Sequence, residues 1–392
     1  MMKQSAALSM AREIMKEFAG LTGLSPAEKV PRRYLWTDAF AVCNFLGLYQ
    51  QTGDRECKPL ALRLIDQVHG ILGRHRADDT RSGWISGLDE QQGKLHPTLG
   101  GLRIGKEMNE RGPREPYDDQ LEWERDGQYY HYLTKWMHAL NRAGAVTHNA
   151  TCHRWAVELA KTGHARFTCA PLSGGQRRIY WKMSIDLSHP HVSAMGHHDP
   201  LDGFITYLQL QTASAGTSHP SAELDLSAEI ADLARMCEGK NWATDDPLGL
   251  GELLSSSFKL AQLIFEKGLG YEDLLENMLQ SSLLGLQTYE RSNQLAFPAD
   301  YRLAFRELGL SIGLHAAEKL VGLIRHAPGN VKAKPHLRSR ADYLMDYASL
   351  RDRIETHWLE PANRKLASWT EHRDINMVML ATSLAPDGYL TL

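Results

Sequence analysis

Four times along this chain a tryptophan stands two to five residues ahead of an aspartate that opens a long apolar-periodic stretch. The pairs are Trp36 with Asp38, Trp123 with Asp126, Trp242 with Asp246 and Trp369 with Asp374. A fifth opening, at Asp202, keeps the acid without the tryptophan, and a sixth, around Arg306 and Glu307, keeps only charge and helical pattern. An aspartate here has two uses. As an N-cap it accepts the orphan N–H groups of the first helical turn, worth about 1 kcal/mol. As one of two carboxylates held about 5–10 Å apart across a glycosidic bond, it is the acid, base or nucleophile of sugar hydrolysis. Flat rings nearby (Trp36, Trp123, Tyr129, Tyr130 and Trp242, with Trp181 from a later segment) offer faces for a sugar to stack on. The same tryptophans could instead staple each helix entry onto the core. The expected catalytic acids are therefore Asp126, Asp38 and Asp202, with Asp246 and Asp374 joining the rings as substrate contacts. Asp126 leads the set, because Arg125 beside it can hold a carboxylate and Gly127 lets a ligand approach the first turn closely.

A second constellation is rich in histidine: His189-Pro190-His191, then Gly196-His197-His198-Asp199-Pro200-Leu201-Asp202. Two histidines and an acid in a short loop can supply a general base or hold a metal. The spacing lacks the helix-borne i, i+4 histidine pair of zinc motifs, so no metal is expected and His198 (or His191) is read as a base. Thr244-Asp245-Asp246-Pro247 pairs acids without the Asp-Asp-x-x-Asp pattern of prenyl-diphosphate chemistry. No phosphate-binding Walker loop, Rossmann glycine fingerprint or Gly-x-Ser-x-Gly elbow occurs, and no cofactor is expected.

These residues need helices to position them. The 3–4 spacing predicts Asp38–Tyr49 with a return through Leu60–Leu72, the first ended by Gly53. It predicts Asp126–Asn141 with Thr151–Thr162, closed by Gly144 and Gly163 and started, for the second, by a Thr151 cap. Asp202–Gln211 then pairs with Ser221–Cys237, and Leu248–Lys267 with Tyr271–Tyr289. A fifth pair opens near Tyr301 and returns through Arg340–Trp358. The sixth helix, from Asp374, runs out at the C-terminus, so the amphipathic N-terminal helix is expected to close against it. Two connections, 77–125 and 165–199, are not helical and are expected to wall a site. Alternation within 178–186 predicts a strand after the Gly174-Gly175 turn.

The chain has 392 residues, 43% hydrophobic and 23% charged, with a formal net charge of −3. That balance argues against a broad nucleic-acid footprint. No apolar run approaches the roughly 20 residues that span a bilayer, and the N-terminal stretch is broken by charges, unlike a secretory signal. Five cysteines without C-x-x-C spacing point to a reducing, cytoplasmic setting. Oligomeric state is not legible.

Serial helical hairpins with Trp-x-Asp or Asp-Gly signatures at the inner helix starts resemble the six-hairpin (α/α)6 toroids. That superfamily includes many glycoside hydrolases and the N-acylglucosamine 2-epimerase group and, more distantly, cyclases of terpenoids and lanthipeptides. The resemblance covers roughly residues 10–392 and implies an all-α toroid of helical hairpins with long loops and a small β-hairpin excursion, as a single catalytic domain over 1–392. The Gly196–Asp202 segment is similar to the Gly-His-x-x-Glu helix start of the epimerase group, although Pro200 stands at the acid position when His197 is the motif's histidine. The resemblance implies an enzyme acting on a carbohydrate, expected to be a glycoside hydrolase with paired aspartates. The alternatives are a sugar epimerase, isomerase or lyase with a histidine base, a non-catalytic carbohydrate-binding protein, and a terpenoid cyclase-like enzyme.

Overall fold

The computed structural model describes residues 2–28, 30–112, 114–170, 174–215, 222–326 and 335–392. It is an all-α protein of helical hairpins with small sheets, the fold class expected from the sequence. The described chain forms two compact units, Ala19–Glu238 and Met1–Phe18 with Gly239–Leu392.

The helical period appears first in α1 (Met2–Leu21), α2 (Leu35–Thr52) and α3 (Cys57–Leu72). The next connection holds two short helices, α4 (Glu90–Leu95) and α5 (Asp119–Glu124), and ends in β1 (Gln128–Tyr129). α6 (Tyr130–Thr147) and α7 (Ala150–Phe167) follow, then β2 (Thr168–Cys169), β3 (Arg178–Ile179), β4 (Lys182–Met183) and β5 (Pro190–Val192). α8 (Asp199–Ala215) and α9 (Ser227–Cys237) complete the Ala19–Glu238 unit. A helix apolar on every face must be enclosed, and one with a single apolar stripe must cover it. α2 is accordingly buried from Leu35 to Leu48, whereas α3 buries residues at 3–4 spacing such as Ala61, Leu64, Ile65 and Val68. α2, α6 and α8 pack in sequence, each backed by its own return helix.

The other unit repeats the scheme with α10 (Pro247–Lys267), α11 (Glu272–Ser292), α12 (Ala304–Arg325), α13 (Pro335–Leu344), α14 (Ala348–Leu359), α15 (Ala367–Thr370), α16 (Arg373–Leu384) and α17 (Asp387–Leu390). α10, α12 and α16 are its enclosed helices. Ile14 and Glu17 of α1 line one cavity with Met377 and Leu380 of α16.

Several local expectations are corrected. α2 begins at Leu35 and α8 at Asp199, so Asp38 and Asp202 sit inside the first turns and are not N-caps. Asp126 precedes α6 altogether. Asp374 lies in the first turn of α16, behind His372. Asp246 is an N-cap as read, accepting from the Gly249 N–H at 2.9 Å. α7 is capped by Asn149, which accepts from the Thr151 N–H, and not by Thr151. Gly53 ends α2 in the left-handed region, but α6 and α7 run through Gly144 and Gly163, because nothing there demands a positive φ. The helix expected from Ser221 starts at Ser227; Ser221 itself lies outside the described residues. The strand expected over 178–186 is split: β2 pairs with β3, while β4 joins β1 and β5 in a three-stranded sheet.

α10 and α12 meet backbone to backbone. A Cβ on Gly251 would stand 2.0 Å from the Gly309 carbonyl oxygen, and one on Gly313 would stand 2.5 Å from the Gly251 oxygen. Gly251→Ala should therefore cost about 1–3 kcal/mol of stability by overpacking, although alanine is the better helix former by about 1 kcal/mol. Urea denaturation measures this, and an alanine variant as stable as the parent would contradict the close approach.

Candidate active site

The three leading aspartates all lie in the Ala19–Glu238 unit, and each is buried against a cation. Asp38 accepts from Arg33 at 3.2 Å and from the Tyr34 N–H at 3.0 Å. Asp126 is fully enclosed. Its Oδ2 accepts from Arg103 at 2.8 Å and Arg76 at 3.3 Å, and its Oδ1 from the N–H groups of Gly105 and Gly127 at 2.9 and 3.1 Å. Asp202 accepts from Lys135 Nζ at 2.8 Å and from the Thr134 hydroxyl.

The two long connections fold onto this frame. Antiparallel pairing of β1 with β4 sets Tyr129 opposite Lys182 and brings the segment before α6 against residues 178–186. Trp123 meets Trp181 edge-on at 4.6 Å between ring centres, and Trp181 lies 5.0 Å from Tyr129. Trp123 is 54% exposed, so this end of the stack is open to a ligand. The expected contacts Trp123, Tyr129 and Trp181 are thus brought together. Trp36 packs on Phe40 inside the core, and Tyr130 is enclosed against Phe167. Trp242 (buried) and Asp246 and Asp374 (half-buried) belong to the other unit, where Asp246 also pairs with Arg306.

The stack contains a histidine that sequence reasoning passed over. His131 stacks on Tyr129 at 5.3 Å, lies parallel to Trp181 at 6.2 Å and meets Tyr132 edge-on at 4.9 Å. Tyr132 in turn shares a 2.8 Å hydrogen bond with the Tyr34 hydroxyl. His131 Nδ1 is 3.8 Å from Asp199 Oδ1. One turn along α6 from His131 is Lys135, and one turn along α8 from Asp199 is Asp202. Two acid–base pairs therefore stand side by side between these helices, one closed at 2.8 Å and one open at 3.8 Å.

Charge follows this geometry. Burial, and then the Asp202 carboxylate, push the Asp199 carboxyl up to about 7, against the opposing Gly196 N–H and Lys135. Asp199 is thus poised between its two protonation states near neutrality, while Asp202 is hydrogen-bonded to Lys135. Lys182 is enclosed, donates to the Glu122 and Arg125 carbonyls and lies 5.8 Å from the Tyr129 ring centre. Burial brings its ammonium down to about 8, with Glu122 opposing. The Tyr129 hydroxyl is buried and makes no hydrogen bond among the described residues. A buried hydroxyl left unmatched is a polar atom that a ligand can satisfy.

The histidine-rich loop is built differently. His191 is buried, with Nε2 3.2 Å from Glu110, which also accepts from Arg81 and from the Ile185 N–H. His198 is half-buried; its carbonyl accepts the Asp202 N–H, and its ring lies 4.7 Å from that of His197. Among the described residues no group of three or more His, Cys, Asp or Glu is arranged to hold a metal ion. Among the described residues no helix is long and apolar enough to cross a membrane.

No protein-family model matches the sequence, and no curated protein does. Among solved structures the chain is similar to cellobiose 2-epimerase from Spirochaeta thermophila, at 13% identity over 95% of this chain and 97% of that one, TM-score 0.47. It is also similar to a sugar epimerase from a ruminal bacterium, at 9% identity over 81% and 75% of the two chains, TM-score 0.44. A third is a GH76 alpha-mannanase from Bacteroides thetaiotaomicron, at 12% identity over 89% and 97%, TM-score 0.44.

Asp126 binds two guanidinium groups and two backbone amides, which makes it a structural anchor whatever else it does. Asp126→Asn keeps the shape but leaves Arg103 buried beside a neutral group. A loss of about 3–5 kcal/mol is expected from breaking such a pair. If thermal unfolding of Asp126→Asn matches the parent, the anchor role is wrong.

Proposed function

We propose that this chain is a carbohydrate-active enzyme of the epimerase or isomerase kind, with His131 as the proton-transfer group and Asp199 as its partner. The observation that carries the reading is the open His131–Asp199 pair inside a stack of aromatic rings. Asp38 and Asp126 are each engaged by arginine and backbone amides, so neither is a carboxylate at liberty to protonate a glycosidic oxygen. In this reading His131, whose Nδ1 faces Asp199 at 3.8 Å, takes a proton from the carbon beside a sugar carbonyl. The C–H electron pair moves into an enediolate, and an ionised Asp199 stabilises the imidazolium that forms. Return of the proton from His131 to the neighbouring carbon yields the isomer, and its return to C2 after the enediolate has rotated about the C2–C3 bond to present its other face yields the epimer. Trp181 and Trp123 offer the apolar faces on which a sugar ring stacks, and the Tyr129 hydroxyl offers it a hydrogen bond.

A second reading, a glycoside hydrolase, draws support from the Asp199–Asp202 pair. One acid is held near its neutral form and the other is paired with lysine, the division of roles that hydrolysis requires.

Incubation with mannose, cellobiose and mannobiose in D2O separates the two. The proton-transfer reading predicts deuterium at C2 of a reducing sugar, with exchange falling about 10²–10⁴-fold in His131→Gln. Release of new reducing ends without exchange, abolished in Asp199→Asn and retained in His131→Gln, would select the hydrolase. Exchange that survives intact in a folded His131→Gln protein removes His131 from the mechanism.

A further inference from the structure

The unit formed by Met1–Phe18 and Gly239–Leu392 has a cavity of about 180 Å³ between α1 and α16. Its floor is Trp369, 4% exposed, with Ile14, Met377 and Leu380 as apolar walls. The floor is braced from behind. Trp369 lies 5.8 Å from Trp358, whose Nε1–H donates to Glu307 at 2.8 Å, and Arg302 grips the Glu307 carboxylate with two bonds of 2.7 and 2.6 Å. Asn376 Nδ2 donates to the Trp369 carbonyl at 2.9 Å. Such a chain of fixed groups keeps the indole in place.

The rim is basic. Arg364, Lys365 and Arg373 line the cavity against a single acid, Glu17. Lys365 forms no ion pair among the described residues. Among the described residues Arg373 pairs with its sequence neighbour Asp374, at 3.9 Å. Arg364 spends one Nη2 bond on the Leu359 carbonyl at 3.3 Å, and its Nε is buried with no acceptor among the described residues. A buried donor without a partner is costly, more so on a charged group. The N-cap of α16, His372, gives no side-chain bond to the first turn, and a helix start favours negative charge.

From these observations we infer that this cavity is a second ligand site, for a small organic anion that carries a phosphate or carboxylate on an apolar body. The anionic end meets Arg364, Lys365 and Arg373, and the apolar body lies on Trp369 between Ile14 and Leu380. The site shares no residue with the proposed active site, and the inference stands whichever sugar reaction proves right.

Phenyl phosphate is the probe, with inorganic phosphate and phenol as its separated halves. Calorimetric titration of the full chain should show phenyl phosphate binding at least about tenfold more tightly than either half. Phenyl phosphate should also shield Lys365 from acetylation by an amine-reactive ester, read by mass spectrometry. An Arg364→Gln, Arg373→Gln double variant should lose at least about tenfold in affinity. Lys365→Gln, a change at an exposed position, should weaken binding in the same direction and serves if the double variant fails to fold. Absence of binding, unchanged acetylation of Lys365, affinity equal to that of phenol, or full affinity in folded variants would each overturn the assignment.

Discussion

A carboxylate taken out of water must find a cation and hydrogen-bond donors or give up its charge. In the Ala19–Glu238 unit that constraint is met position by position. Asp38 has Arg33, Asp126 has Arg103 and Arg76, and Asp202 has Lys135. Asp199 is equally buried, yet no lysine or arginine among the described residues forms an ion pair with it, and its basic neighbour His131 stands at 3.8 Å. The interhelical space between α6 and α8 thus holds one settled pair and one unsettled pair. The settled pair ties α6 to α8 through Lys135 and Asp202, one turn along from His131 and Asp199.

The same constraint explains what the sequence could and could not disclose. Helical hairpins were legible because enclosed and covering helices leave different apolar patterns, as in α2 and α3. Asp38, Asp126 and Asp202 stood out too, since an acid beside a long apolar run is unusual, and each is buried against a cation. Their partners did not stand out. Arg33 is five residues from Asp38, whereas Arg103 reaches Asp126 across 23 residues and Lys135 reaches Asp202 across 67. A contact made by packing α6 on α8 has no local signature. His131 was hidden for the same reason, between Tyr130 and Tyr132 in a run that reads as aromatic. The spacing His131/Lys135 against Asp199/Asp202 is the trace that could have revealed it, had the two helices been set side by side in advance.

Segments without period were harder still. The stretch 178–186 alternates like a strand, but its residues join two separate sheets, and the exchange partner of Lys182 is Tyr129. That crossing is what draws Trp181 and Trp123 into the stack with His131. In the other unit, the Trp369 opening proved to be the braced floor of a basic cavity, so a feature read as one turn of a repeat carries its own chemistry.

The central claim is that Asp199 is a carboxyl held between its two charge states by burial and by Asp202. Its side-chain carboxyl carbon, labelled with ¹³C and assigned by its loss in Asp199→Asn, can be titrated directly by NMR. The account predicts a midpoint of about 7, falling in Asp202→Asn, where the neighbouring negative charge is gone. A midpoint near the ordinary aspartate value of about 4 in the folded parent protein would contradict it.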